Sequence, residues 1–188
     1  MSLLITFTGA QSTGKSTLLE KMRNDERFKY WSFEAEITRD LLKKYDLKIN
    51  EDGDVFTQYV TCFSHVDNYL RNRDKHAVFD RCAIDSFIYT TYAYHTSKNS
   101  AKDRDNMATI ATAVLDLLYD KYDIIFYTSP DIPLVADGVR SPNEDYRNKI
   151  IELFEDYIQE FAPKNLVRLT GTVDERYSQI IKAVDAKL

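Results

Sequence analysis

Cysteine is scarce in this chain. Cys62 and Cys82 are the only two, too few for a disulfide framework and without metal-ligand spacing, so both are expected as buried thiols in a reducing cytoplasm. No apolar run approaches the roughly 20 residues that cross a bilayer. The N-terminus lacks the basic-then-apolar order of a secretory leader, and its apolar residues run straight into a glycine loop. Five glycines and four prolines in 188 residues leave no Pro/Gly-rich linker, and no repeat or low-complexity tract marks a boundary. Positive charge is not in excess either: 25 Lys and Arg stand against 30 Asp and Glu, a net −5. That balance gives no electrostatic footprint for long nucleic acid, although a local basic cleft fits inside an acidic total. His65, His76 and His95 have no mutual spacing for a metal site. The expectation is a cytoplasmic single domain, residues 1–188, with a small lid at about 134–148 and no membrane partner.

What is present is more telling. Hydrophobic residues make up 44% and charged residues 29%, the composition of a globular chain with a real core. Near the start, Gly9-Ala10-Gln11-Ser12-Thr13-Gly14-Lys15-Ser16-Thr17 has the spacing G-x-x-x-x-G-K-S of a phosphate-binding P-loop. Residues 3–8 before it read as a buried strand, and a helix follows to about residue 24. The glycines open turns closed to other residues and let amides approach phosphate oxygens. Lys15 is placed for the β- and γ-phosphates, Ser16 for Mg²⁺ and Thr17 for the α-phosphate. Gln11, Ser12 and Thr13 complete the expected ATP cradle.

Beyond the loop the pattern alternates. Strands are expected at 30–33, 77–80, 124–128 and 166–170. Helices are expected at 34–45, 54–73, 84–95, 104–119, 146–161 and 174–187. Val55, Phe56, Tyr59, Val60, Phe63, Val66 and Leu70 recur at helical spacing in the long helix 54–73. The charged run 98–105 reads as a solvated loop. Such alternation predicts an α/β fold, the P-loop NTPase three-layer α/β/α sandwich with a five-stranded parallel sheet. Ligands of these sheets sit outside the strand carboxyl ends. The P-loop, Glu34 and Glu36, Asp80 and Arg81, and residues 128–131 all fall there.

Several segments carry a likeness. Glu36-Ile37-Thr38-Arg39 resembles an E-x-x-R, Ser129-Pro130-Asp131-Ile132-Pro133 a strand ending in P-D-x-P, and Asp137-Gly138-Val139-Arg140-Ser141 a D-G-x-R segment. These are segments of the nicotinamide-riboside kinase-like branch of the P-loop kinases, an AAA-type ATPase/kinase family, which the chain resembles over nearly its whole length. More distantly it resembles the deoxynucleoside kinases, through Phe56-Thr57-Gln58 and Phe79-Asp80-Arg81. At the latter this chain has Asp80 and Cys82 where those kinases have Glu and Ser. The resemblance implies phosphoryl transfer from ATP and Mg²⁺ to a small-molecule nucleoside or nucleotide.

Transfer to a hydroxyl needs a carboxylate to take its proton and cations over the migrating group. Glu36 is the first candidate base, with Arg39 one turn away; Glu34 exchanges roles with it in a second reading, and a surface glutamate in a helix first turn is the plainer one. Asp80 ends an apolar run, as a Mg²⁺-holding aspartate does, and a helix-capping Asp is its alternative. Arg81 would bind phosphate or form an ion pair. Gln58 offers a donor and an acceptor to a base or carboxamide edge, joined by Asp85. Tyr59, Phe63 and Tyr89 stack on a ring or fill core. In the lid, Arg140 and Arg147 are placed to swing onto the phosphoryl. Two other readings stay open: a kinase for hydroxymethylated pyrimidine in DNA, which the acidic total disfavours, and a regulatory ATPase. No N-K-x-D guanine motif is present. The helix around residues 110–118 serves as core or as a homodimer face.

Overall fold

The computed structural model describes residues 2–34, 43–48, 52–132 and 143–188. Five strands, β1 (Leu4–Thr8), β2 (Ser32–Glu34), β3 (Ala77–Asp80), β4 (Ile124–Thr128) and β5 (Leu166–Leu169), form one sheet in the order β2-β3-β1-β4-β5. Every pairing is parallel. Among the described residues six α-helices connect and close it: α1 (Lys15–Arg23), α2 (Val55–Asn72), α3 (Ala83–Thr96), α4 (Ala101–Leu118), α5 (Glu144–Phe161) and α6 (Val173–Asp185). The three-layer α/β arrangement expected from the alternation is present.

Side-chain alternation along the strands divides the core in two. Ile5, Phe7, Val78, Ile124 and Phe126 point to one face, where α1 and α6 supply Leu18, Met22, Ile180 and Val184. Leu4, Phe79, Ile125 and Tyr127 point to the other, packed by α3, α4 and α5. All five residues of β1 and of β4 are buried, because helices cover both faces. β1 lies at the centre, with β3 on one side and β4 on the other. This is the switch point where the crevice of such a sheet opens.

Three expectations change. The charged run 98–105 is a loop only as far as Ser100, which accepts a hydrogen bond from the Asp103 amide at 3.1 Å and starts α4 at Ala101. Likewise Asn143 caps α5 and starts it at Glu144, so residues 144–148 of the expected lid are helical; residues 133–142 lie outside the described set. The third concerns α2. Of its apolar stripe Phe56, Phe63 and Leu70 are exposed, so Phe63 fills no core, while Val66 and the neighbouring Cys62 and Tyr69 pack inward beside the buried Thr57, Gln58, Ser64, His65, Asn68 and Asn72. Conversely Met107, Ala111, Val114, Leu115 and Leu118 of α4 are core. No helix of the described residues is long and apolar enough to cross a membrane.

Candidate functional site

The segment between β1 and α1 is shaped by residues in left-handed or open backbone conformations. Gly9 takes φ +129°, and a Cβ there would stand 2.9 Å from Thr128 Oγ1 and 3.1 Å from the Thr128 carbonyl. Gly14 takes φ +87° and stands as N-cap of α1, with no side-chain cap and no acid in the first turn. The first turns of α2, α4, α5 and α6 are capped by Asp54, Ser100, Asn143 and Thr172. That of α3 has the Asp85 carboxylate on the Cys82 amide at 3.0 Å. Among the described helices α1 alone combines a bare cap with a first turn free of acid. Neither a capping side chain nor a first-turn acid offsets its positive end.

The loop is braced from inside. Lys15 Nζ folds back to donate to the carbonyls of Gly9 at 2.7 Å and Ala10 at 2.6 Å. Thr13 Oγ1 donates to the Ala10 carbonyl at 2.9 Å and shares a 2.6 Å hydrogen bond with Thr128 Oγ1. Ser12 adopts φ +57°, which for a residue with a Cβ stores strain in the loop. Ser16 and Thr17, one step into α1, are exposed.

Behind the loop lies a residue that sequence reasoning missed. Arg176 of α6 is fully buried. It donates to the carbonyls of Thr13 at 2.8 Å, Ser129 at 3.1 Å and Gly171 at 2.9 Å, and it pairs with Asp131. One guanidinium thus ties the P-loop to the ends of β4 and β5. The only local signal near it is the capping box Thr172–Glu175 that starts α6.

The carboxyl end of β3 supplies a second cluster. Asp80 stands opposite Phe7 in the sheet register. Arg81 follows at φ +79° with its amide on the Phe7 carbonyl at 2.9 Å. Its guanidinium meets Asp85 Oδ1 at 3.0 Å and lies 5.4 Å from the centre of the Tyr89 ring. Asp85 also accepts from Thr8 Oγ1 at 2.7 Å. Tyr89 donates its hydroxyl to Gln11 Oε1 at 3.2 Å, so a continuous polar path runs from Asp85 to the P-loop. Gln11 is 3% exposed, and its amide nitrogen has no hydrogen-bond partner among the described residues.

The other residues singled out in sequence fall as follows. Glu34 ends β2, where it accepts from Asn72 Nδ2 at 3.0 Å and Ser32 Oγ at 3.2 Å and meets Arg71 Nη1 at 3.4 Å. Gln58 is buried and accepts from Thr90 Oγ1 at 3.0 Å. Its carbonyl oxygen is therefore engaged by α3. Arg147 is not on a loop: it lies buried in α5, donating to the Gln11 carbonyl at 3.3 Å and the Ile132 carbonyl at 2.7 Å. Glu36, Arg39, Asp137 and Arg140 lie outside the described residues. Cys62 and Cys82 are free and buried, and burial pushes their thiols up to about 11 and about 12. Among the described residues no three His, Cys, Asp or Glu side chains gather into a metal-binding group.

A parallel sheet with this loop at its switch point defines a P-loop NTPase-like fold. A sequence profile of the family described as an AAA domain matches residues 4–176. The chain belongs to that family. Solved structures with a similar fold include the NadR protein in complex with NR, at TM-score 0.77 and 20% identity. The match covers 98% of this chain and 51% of NadR, so the chain spans about half the length of that protein. A second structure, of NadR with NAD and AMP-PNP, gives TM-score 0.72 at 20% identity, over 98% of this chain and 49% of that one. Deoxyadenosine kinase from M. mycoides with bound dATP gives 0.72 at 15% identity, over 97% and 99% of the two chains. Thymidylate kinase from Candida albicans gives 0.70 at 11%, over 99% and 92%. No curated protein matches the sequence. The resemblance to P-loop kinases holds at the level of the fold.

Proposed function

We propose that this chain is an ATP-dependent kinase that moves the γ-phosphoryl group of ATP to a hydroxyl of a nucleoside or nucleotide-like small molecule. The observation that carries the reading is the uncapped, acid-free N-terminus of α1 at the sheet's switch point. Neighbours with this fold were solved with AMP-PNP and with dATP, which supports a triphosphate there.

In this reading the amides of Gly9 to Thr17 hold the phosphates, and Lys15 leaves its own carbonyls to follow the β- and γ-oxygens. The exposed Ser16 hydroxyl and the Asp80 carboxylate form an all-oxygen donor set of the kind Mg²⁺ takes together with water and phosphate. When bound, Mg²⁺ supplies charge neutralisation at the phosphates. The acceptor oxygen forms the new bond to phosphorus as the bond to the β,γ-bridging oxygen breaks. The hydroxyl proton passes to a carboxylate, for which we propose Glu36, two residues past the end of β2. Glu34, held by Asn72 and Arg71, suits the positioning of substrate better than proton transfer. For the acceptor we propose Arg39, Gln58, Arg81 and Asp85, and for the phosphoryl Arg140.

The test is a panel of nucleosides, nicotinamide riboside, nucleoside monophosphates and hydroxymethylated DNA with γ-labelled ATP. Label is expected in a nucleoside or nucleotide acceptor. Label in DNA alone would transfer the reading to the DNA kinases, and steady hydrolysis without transfer would replace it with a regulatory ATPase.

A further inference from the structure

Two buried arginines reach the phosphate loop from opposite layers of the fold. α5 packs on the sheet face of Leu4, Phe79 and Ile125, and α6 on the face of Ile5, Phe7 and Val78. From the first layer Arg147 spans the carbonyls of Gln11, at 3.3 Å, and Ile132, at 2.7 Å. From the second, Arg176 spans those of Thr13, at 2.8 Å, and Ser129, at 3.1 Å. Each guanidinium joins one loop carbonyl to one carbonyl of the segment that follows β4. Arg147 is 8% exposed and Arg176 0%, so both forks are engaged by backbone rather than held out to a ligand.

We propose that Arg147 and Arg176 are positioning residues that aim the backbone amides of Ser12 and Gly14 at a nucleotide's phosphates. A trans peptide is planar, so its N–H points opposite to its C=O, and no described peptide bond is cis. Holding the Gln11 carbonyl toward Arg147 turns the Ser12 amide to the other side of the loop. Holding the Thr13 carbonyl toward Arg176 does the same for the Gly14 amide. Both clamped peptides precede a residue with left-handed backbone, Ser12 at φ +57° and Gly14 at φ +87°. Rotating such a peptide would change that φ, so the two hydrogen bonds hold a conformation that Ser12 adopts only at a cost. Gly14 is also the bare N-cap of α1, and the two aimed amides add to the donors at that helix end. When Lys15 leaves the Gly9 and Ala10 carbonyls to follow the phosphates, the arginines remain as the anchors of the loop. Arg147 thus shapes the phosphate site from behind instead of swinging onto the transferred phosphoryl. This role rests on the loop holding a nucleotide's phosphates, whichever hydroxyl receives the phosphoryl.

Titrating ADP and AMP-PNP, each with Mg²⁺, into the whole chain and its Arg147→Met variant tests it. A misaimed amide weakens the hold on phosphates that both nucleotides carry, so both Kd values are expected to rise in parallel, by about 10-fold. An arginine touching the γ-phosphoryl would instead weaken AMP-PNP and spare ADP, and that result would overturn the proposal. In ¹⁵N spectra of the nucleotide-free chain, Arg147→Met is expected to move the Ser12 amide and Arg176→Met the Gly14 amide, while amides of α4 stay in place. Should the methionine variant at 147 not fold, Arg147→Lys keeps the charge without the fork and is expected to raise both Kd values in parallel by a smaller factor. Unchanged affinities, or a Ser12 amide unmoved in Arg147→Met, would equally count against it. A wild type that binds neither nucleotide would remove the reading of the loop itself, and this role with it.

Discussion

Replacing Arg176 with methionine keeps much of the side-chain volume and removes the guanidinium. The loss can be worked from its partners. The Gly171 carbonyl lies at an exposed turn, where water takes over the bond at little cost. The carbonyls of Thr13 and Ser129 belong to residues 1% and 5% exposed, and each is left without its charged donor. An unsatisfied buried acceptor costs about 1–3 kcal/mol, so the two together come to roughly 2–6 kcal/mol. Asp131 is 43% exposed at its side chain and rehydrates on losing its partner, adding little. For a chain of this size the destabilisation corresponds to a fall in Tm of about 5–25 °C. Because Thr13 lies in the phosphate loop, nucleotide affinity is expected to fall as well. Urea unfolding and titration with AMP-PNP read the two effects separately. Arg176→Lys, which keeps the charge without the fork of donors, is expected to recover only part of either. A methionine variant within about 1 kcal/mol of wild type would refute the reasoning, since the three carbonyls would then not depend on the guanidinium.

Gly9→Ala is expected to cost about 2–4 kcal/mol, because φ +129° is strained for alanine and the new Cβ meets a Thr128 hydroxyl already bonded to Thr13 and Thr8; thermal unfolding checks it. In the native protein a thiol-disulfide reagent at pH 8 is expected to label neither cysteine, since both pKa values are raised and the groups stay neutral below them. In denaturant both should react, and fast native labelling would contradict the burial argument. Glu36→Gln is expected to keep ATP binding while transfer falls about 100-fold or more; unchanged turnover in the labelled-ATP assay would mean another carboxylate is the base.

The parts of the fold that were legible in sequence are those where one local pattern has one outcome. An unbroken apolar run such as 124–128 has to be covered on both faces, and the G-x-x-x-x-G-K-S spacing after a strand admits few conformations. α2 was legible as a helix, but which of its apolar residues face the core was not: Cys62, Val66 and Tyr69 pack inward while Phe56, Phe63 and Leu70 are exposed. Helical periodicity identifies a stripe, but polar residues share the buried side because Asn72 meets Glu34 and Gln58 meets Thr90, from elements 38 and 32 residues away. Arg176 was invisible for the same reason, its main partners lying 163 and 47 residues distant. The start of α4 was overlooked where a serine cap and an acid three residues on outweighed a charged run. Of the candidate site, the phosphate loop and the strand-end positions of Glu34, Asp80 and Arg81 were readable, because sheet topology fixes them. The path Asp85–Arg81–Tyr89–Gln11 was not, since it needs an arginine in a left-handed conformation.

The central claim is that the bare N-terminus of α1 holds the tail of a nucleoside triphosphate. Following the backbone amides of the ¹⁵N-labelled chain as Mg²⁺ and AMP-PNP are added tests it most directly. The largest shifts are predicted for residues 9–17, with smaller ones at Asp80 and Arg81. Saturating nucleotide that leaves those loop amides unmoved, or moves a different surface instead, would contradict the account.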